Sequence, residues 1–210
     1  MTKYFLTFCI CFFQLYSIKA EKIQGQIFLK TDTLNVTLDI PIKFLSQEIN
    51  YTKLQKKVKY YDSNGNKVTL YPHQAIEIRF KYDYENVRMI SVPRNGDLAS
   101  VFDSEPNIFL KLEIDGKLRM YCYYYYQHSP GGMNAATGTM SGGASYSTDK
   151  YLLQKENGTI KWPKNLSFRK DMIQYFSDCP ELAGKIEKKE FKKDDLDSIV
   201  RYYNSNCGSN

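Results

Sequence analysis

From Ile23 to about Glu156 the apolar positions recur mostly every second residue, the period of a β-strand with one covered face. In "AIEIRFKY", Ile76, Ile78, Phe80 and Tyr82 fall on one side and Glu77, Arg79 and Lys81 on the other. "VKYYDSNGNKVTLYP" reads as two short strands around Asn64-Gly65, a pair suited to the positive backbone angles of a tight hairpin turn. "IQGQIFLK" and "TLNVTLDIPI" flank Thr31-Asp32 as a further pair, and "FLKLEIDGKLRMYCYYYY" turns at Asp115-Gly116. Hairpin-like segments in series predict an antiparallel β-sheet, arranged as a sandwich or a partly open barrel.

After Trp162-Pro163 the period lengthens. "FRKDMIQYF" puts Phe168, Met172 and Phe176 on one helical stripe, and "DDLDSIVRYY" does the same with Leu196, Ile199, Val200 and Tyr203. "SDCPELAGKI" offers Asp178 as an N-cap with Glu181 three residues on, and sets Leu182 and Ile186 one turn apart. The predicted class is α+β: a β-rich domain over 21–160 and a helical C-terminal segment over 161–210.

Residues 121–146 hold six of the chain's eighteen tyrosines. On the predicted strand Leu118, Met120, Cys122, Tyr124 and Tyr126 share the inward face, while Arg119, Tyr121, Tyr123 and Tyr125 share a half-wet one. Tyrosine is a good strand former with an apolar ring and a polar tip, so the run needs no ligand to explain it. With "YLLQKE" as the next strand, residues 127–149 form a long Gly-rich loop, of a length that is either functional or mobile.

Composition adds the compartment. "MTKYFLTFCICFFQLYSIKA" has a basic start, a short apolar stretch, and Ile18 and Ala20 at the minus-three and minus-one positions of a cleavage site, the layout of a secretory signal peptide over 1–20. Its loss takes away Cys9 and Cys11 and leaves Cys122, Cys179 and Cys207. In an oxidising compartment Cys179 and Cys207 are the expected disulfide, closing a loop of roughly 29 residues. Cys122, between Met120 and Tyr124 on the inward face, reads as a small core residue. Losing Lys3 and Lys19 lowers the net charge from +6 to +4, far short of the basic stripe of a nucleic-acid binder. No later segment is long and apolar enough to span a membrane as a helix. A periplasmic or secreted protein is expected.

Chemistry is sparse. There are two histidines, His73 and His128, which restricts acid-base and metal schemes. "MSGG" at 140–143 places Ser141 in a context seen around nucleophilic serines, but the flanking Thr139 breaks the Gly-x-Ser-x-Gly pattern. "DSNGNKVTLYPH" imitates half of a calcium loop, yet Lys67 stands at the glycine position and His73 at the bidentate glutamate position, so a hairpin turn accounts for it better. No zinc spacing, phosphate loop or dinucleotide fingerprint occurs, and no cofactor or metal is expected.

The segments "VKYYDSNGNKVTLYPHQAIEIRFKY", "FLKLEIDGKLRMYCYYYY" and "FRKDMIQYFSDCPELAGKIEKKEFKKDDLDSIVRYYNSNC" resemble those of an uncharacterised group of signal-peptide-bearing exported proteins from Bacteroidota. The resemblance implies compartment and type of organism and carries over no site. It also gives Asp32-Thr33-Leu34 and Asp197-Ser198-Ile199 the look of O-glycosylation sites. The expected function is non-enzymatic: a binding or interaction protein of the cell envelope whose partner is another envelope protein or a glycan. Tyr121, Tyr123, Tyr125 and His128 are the candidate ligand-binding residues, the tyrosines as a stacking face for sugar rings. A serine hydrolase built on His128 and Ser141 is the remaining alternative.

Overall fold

A computed structural model describes residues 20–44, 46–99, 105–129, 131, 137–140, 142–156 and 158–207. The expected signal peptide, apart from Ala20, lies outside the described residues, as does Ser141.

Nine strands form one antiparallel sheet: β1 Ala20–Phe28, β2 Thr33–Pro41, β3 Val58–Tyr61, β4 Lys67–Leu70, β5 Glu77–Tyr82, β6 Glu85–Pro93, β7 Asn107–Ile114, β8 Leu118–Ser129 and β9 Ala144–Lys155. Their order is β4-β3-β2-β1-β5-β6-β7-β8-β9, an open sheet with β4 and β9 at its edges. The chain runs as a meander through β4, returns through a 3₁₀ turn at Pro72–Gln74, and adds β5 beside β1. Among the described residues four helices follow the expected class: α1 Tyr51–Leu54 after β2, then α2 Phe168–Tyr175, α3 Pro180–Glu187 and α4 Leu196–Asn206 at the C-terminus. Among the described residues no helix is long and apolar enough to cross a membrane.

The turns follow from their residues. Between β3 and β4 the Asp62 carboxylate accepts from the backbone N–H groups of Asn64 (2.9 Å) and Asn66 (2.8 Å), while Gly65 takes a φ of 80°. Asp62 is thus committed to the hairpin.

Three clusters of buried side chains hold the sheet. One gathers Ile27, Leu38, Ile40, Leu54, Ile78, Met89 and Phe109 inside the curl of the β1–β7 region. The sheet curls far enough for α1 to reach β7 and β8. There the strands part beyond the Lys111↔Cys122 pair, and Gln55 fills the gap. Its side-chain amide accepts from Tyr124 N–H (2.7 Å) and donates to Tyr124 C=O (3.0 Å), while its own carbonyl accepts from Phe109 N–H (3.0 Å). Gln55, 2% exposed, therefore stands in for a missing stretch of strand.

The second cluster seats the C-terminal helices on the sheet. Phe168, Met172, Phe176, Leu182, Ile186, Leu196, Ile199, Val200 and Tyr203, the stripes read from the sequence, pack against Leu118, Met120 and Leu153. Cys179 and Cys207 meet at disulfide distance, 5.6 Å between Cα atoms. Asp178 does not cap α3 as expected, because Pro180 places the cap at Cys179. Asp178 instead accepts from Lys155 Nζ (2.5 Å) and Tyr203 Oη (2.6 Å), tying β9 to α4.

The third cluster covers the opposite face of β6–β9. Segments around Leu98 and Ile160 lie over Val92, Ile108, Leu110, Tyr121, Tyr123 and Leu152. The expectation that Tyr121, Tyr123 and Tyr125 line a half-wet face is therefore corrected for the first two, because β8 is sandwiched between two cores over its first half, while Tyr125 is half-buried as expected. A smaller departure concerns Ile76, which precedes β5 and is 49% exposed instead of facing inward with Ile78 and Phe80.

Candidate functional site

The β8–β9 hairpin organises every candidate residue. The two strands pair without interruption from Leu118↔Lys155 to Ser129↔Ala144. Residues 127–129 and 144–149, expected inside a long loop, are strand, and the connection shrinks to 130–143. "ASYSTD" escaped notice because it lacks an apolar alternation. Its Ser, Tyr and Thr side chains suit a pleated surface, and pairing with the tyrosine strand supplies the rest.

On one face, Tyr121 is fully buried and its hydroxyl bonds Gln154 Oε1 at 3.0 Å. Tyr123 is 8% exposed and Tyr125 half-buried, with their rings stacked 5.8 Å apart. Lys150, directly opposite Tyr123, lays its ammonium over three rings: 3.5 Å from the Trp162 centroid, 5.1 Å from Tyr125 and 5.4 Å from Tyr123. Burial pushes the Lys150 amine below the ordinary lysine range; Asp97 opposes that shift and Lys164 adds to it. The aromatic faces proposed for sugar stacking are thus already in use, two in the core and the outermost shared with the protein's own cation.

His128 is exposed, and its Nδ1 lies 2.6 Å from Ser145 Oγ across the hairpin. That pair has no hydrogen-bonded carboxylate behind the imidazole among the described residues, so nothing orients it as a general base. His73 sits elsewhere, with Nδ1 2.8 Å from a Glu105 carboxylate oxygen. Among the described residues no group of histidine, cysteine or carboxylate side chains has the spacing to hold a metal ion.

The other face carries charge between two apolar clusters. Lys111 is paired with Glu85 (2.7 Å) and Glu113 (3.0 Å). Burial works against its positive charge, but these carboxylates outweigh it and hold the ammonium above the usual range. Tyr51 stacks on Tyr124 at 4.5 Å beside it. Lys111, Glu85, Tyr51 and Tyr124, together with Tyr82, line a cleft of about 510 Å³. Cys122, 2% exposed, has its thiol pushed up to about 12 by burial, so it is a poor nucleophile. Lys111 has its partners in Glu85 and Glu113, and the Tyr82 hydroxyl donates to Gln47 C=O (2.5 Å), so much of this cleft's polar capacity is met within the chain.

The edge of β9 is different. Leu153 exchanges both backbone hydrogen bonds with Lys161 (2.8 and 2.9 Å), so its N–H and C=O point away from β8. Antiparallel pairing alternates, and the same outward direction holds for Tyr151, Asp149, Ser147 and Ser145. Pro163 lacks the N–H needed to continue the bridge to Tyr151, and none of these four residues has a backbone partner on its outer side among the described residues. The opposite edge, β4, is only four residues long. Tyr126, Tyr146 and Tyr151, 51%, 49% and 41% exposed, stand on the same hairpin. A cleft of about 580 Å³ opens beside the edge, lined by Asp149, Tyr151, Trp162, Asp197 and Arg201 among others. No signal in "ASYSTDKY" alone could have found this, because being an edge is a property of topology. No protein-family model, curated protein or solved structure matches the chain.

Proposed function

We propose that the protein is an exported interaction module of the cell envelope that takes up an extended segment along the free edge of β9. One observation carries this reading: four residues in a row, counted every second position from Ser145 to Tyr151, offer outward backbone donors and acceptors that have no backbone partner among the described residues, at the end of a nine-stranded sheet. Such an edge is a template for strand addition, in which main-chain hydrogen bonds give affinity and flanking side chains give selectivity. Natural sheets blunt exposed edges with proline, bulges or very short strands. β4 does so by its length, whereas β9 has no proline in twelve residues. The signal-peptide-like N-terminus, the Cys179–Cys207 pair and the resemblance to exported proteins of Bacteroidota support the compartment.

The test is a photoreactive residue in place of Tyr146, illuminated in intact cells, in the wild-type background and with Ser147→Pro. Proline at 147 deletes an outward N–H and leaves the β8 ladder whole. Adducts in the first and none in the second are expected. Equal adducts, or none in either, would refute strand addition at this edge.

A further inference from the structure

Resting on that reading, we infer that the segment taken up along β9 is the β9 strand of a second copy of this chain, paired antiparallel about a two-fold axis. The free stretch is bounded on one side by the Leu153–Lys161 bridge and on the other by the end of the hairpin at Ala144. Two identical strands meeting across a two-fold axis must pair residue i with a fixed sum minus i. Centring on Thr148 is the register that places all four free residues against one another: Ser145 with Tyr151, Ser147 with Asp149, and the reciprocals.

That register is chemically self-consistent. Asp149 meets Ser147 instead of its own copy, which centring one residue later would force. Lys150 stands opposite Tyr146 with its ammonium kept over its own Trp162 and Tyr125, and Thr148 meets Thr148 in a close, non-hydrogen-bonded pair. The contact is isologous, so it closes at two copies and does not propagate.

Shape agrees with the register. Beyond Tyr126 the hairpin is a bare two-stranded ribbon: Gln127, His128, Ser129, Ser145 and Tyr146 are all exposed. A ribbon of that kind is marginal in water without a third strand. In the proposed pairing the thin end of each ribbon lies where the other copy has its cleft between Trp162 and Arg201. The ribbon end bears no carboxylate and no lysine from 127 to 129 or from 144 to 147, so it brings no like charge to the mixed Asp197, Arg201 and Lys193 lining.

The experiment is sedimentation of the purified protein, wild type against Ser147→Pro, with a cysteine pair test of the register. Wild type is expected at twice the chain mass and Ser147→Pro at the chain mass, the variant still melting cooperatively but with a midpoint that, unlike wild type's, does not rise with protein concentration. Thr148→Cys is expected to form an intermolecular disulfide on mild oxidation, while Lys81→Cys, on β5 away from the edge, does not. Native Cys122 is buried and does not compete. A monomeric wild type overturns the inference. If Ser147→Pro then still abolishes the Tyr146 adducts, strand addition stands and the strand comes from another protein. A dimer that survives Ser147→Pro, or a Thr148→Cys dimer left unbridged, overturns both the partner and its register.

Discussion

Replacing Gln55 with alanine should cost about 3 kcal/mol, and the comparison that gives the figure meaning is Gln55→Leu. The Gln55 amide satisfies both backbone groups of Tyr124 where β7 and β8 part, at 2.7 and 3.0 Å, in a place only 2% exposed. Truncation leaves a buried N–H and a buried C=O without partners, each worth roughly 1–3 kcal/mol, against which some water entry through the shortened side chain must be set. Some packing is lost as well. For a chain of this size, about 3 kcal/mol corresponds to a fall in melting temperature of roughly 6–12 °C. Urea titration followed by tryptophan fluorescence and circular dichroism would measure it, with the midpoint moving and the slope unchanged. If Gln55 acted mainly by filling space, leucine would restore most of the loss. If it acts as a substitute strand, leucine should be no better than alanine, because the Tyr124 groups stay unpaired and now face a hydrocarbon. A loss below about 1 kcal/mol for alanine, or near wild-type stability for leucine, would refute the reasoning.

The oxidised protein should weigh two hydrogens less than the reduced protein, and opening the Cys179–Cys207 pair should lower stability by about 3 kcal/mol; equal masses would rule the bridge out. Cys122 should resist iodoacetamide at pH 8 in the native state and react only as the sheet opens, since burial raises its thiol to about 12; fast native labelling would contradict that. Glu77, 6% exposed between Arg79 and Arg88, is pushed upward by burial, but the two guanidiniums outweigh this and hold its carboxyl below the ordinary value of 4.5. A depressed carboxylate stabilises the fold fully above its unfolded value and ceases to do so as pH falls through the folded one. Glu77→Gln should therefore cost roughly 1–3 kcal/mol near pH 7 and lose that deficit progressively below about pH 4, measured as melting temperature against pH. A constant deficit across that range would show that charge is not what Glu77 contributes.

The parts of this molecule that could be read from sequence are those in which one element buries one face. The stripe of Phe168, Met172 and Phe176, and that of Leu196, Ile199, Val200 and Tyr203, face the sheet because helices at the surface have a single apolar side. The β1–β2 and β3–β4 hairpins were legible for a similar reason, with Asn64-Gly65 marking a turn that Gly65 completes at positive φ. Legibility failed where an element is covered twice. β8 has Leu118 and Met120 under the helices and Tyr121 and Tyr123 under the segments around Leu98 and Ile160, and those covering segments have no period of their own. A tyrosine row on such a strand looks identical in sequence whether its second face is wet or dry.

The start of β9 failed to show for a different reason, and the same reason makes it the candidate site. Ser145, Ser147 and Asp149 bury little, so no hydrophobic pattern announces a strand, and their conformation is fixed by twelve consecutive pairs with β8. A strand held from one side only keeps the hydrogen-bonding capacity of its other side. Residues whose structure comes from a partner strand and whose own side chains contribute little burial are the ones free to accept another strand. The weak sequence signal over 144–150 and the open edge at Ser145–Tyr151 thus have one cause. Substitutions that strengthened the apolar alternation there would make the strand easier to read and the edge more prone to indiscriminate pairing.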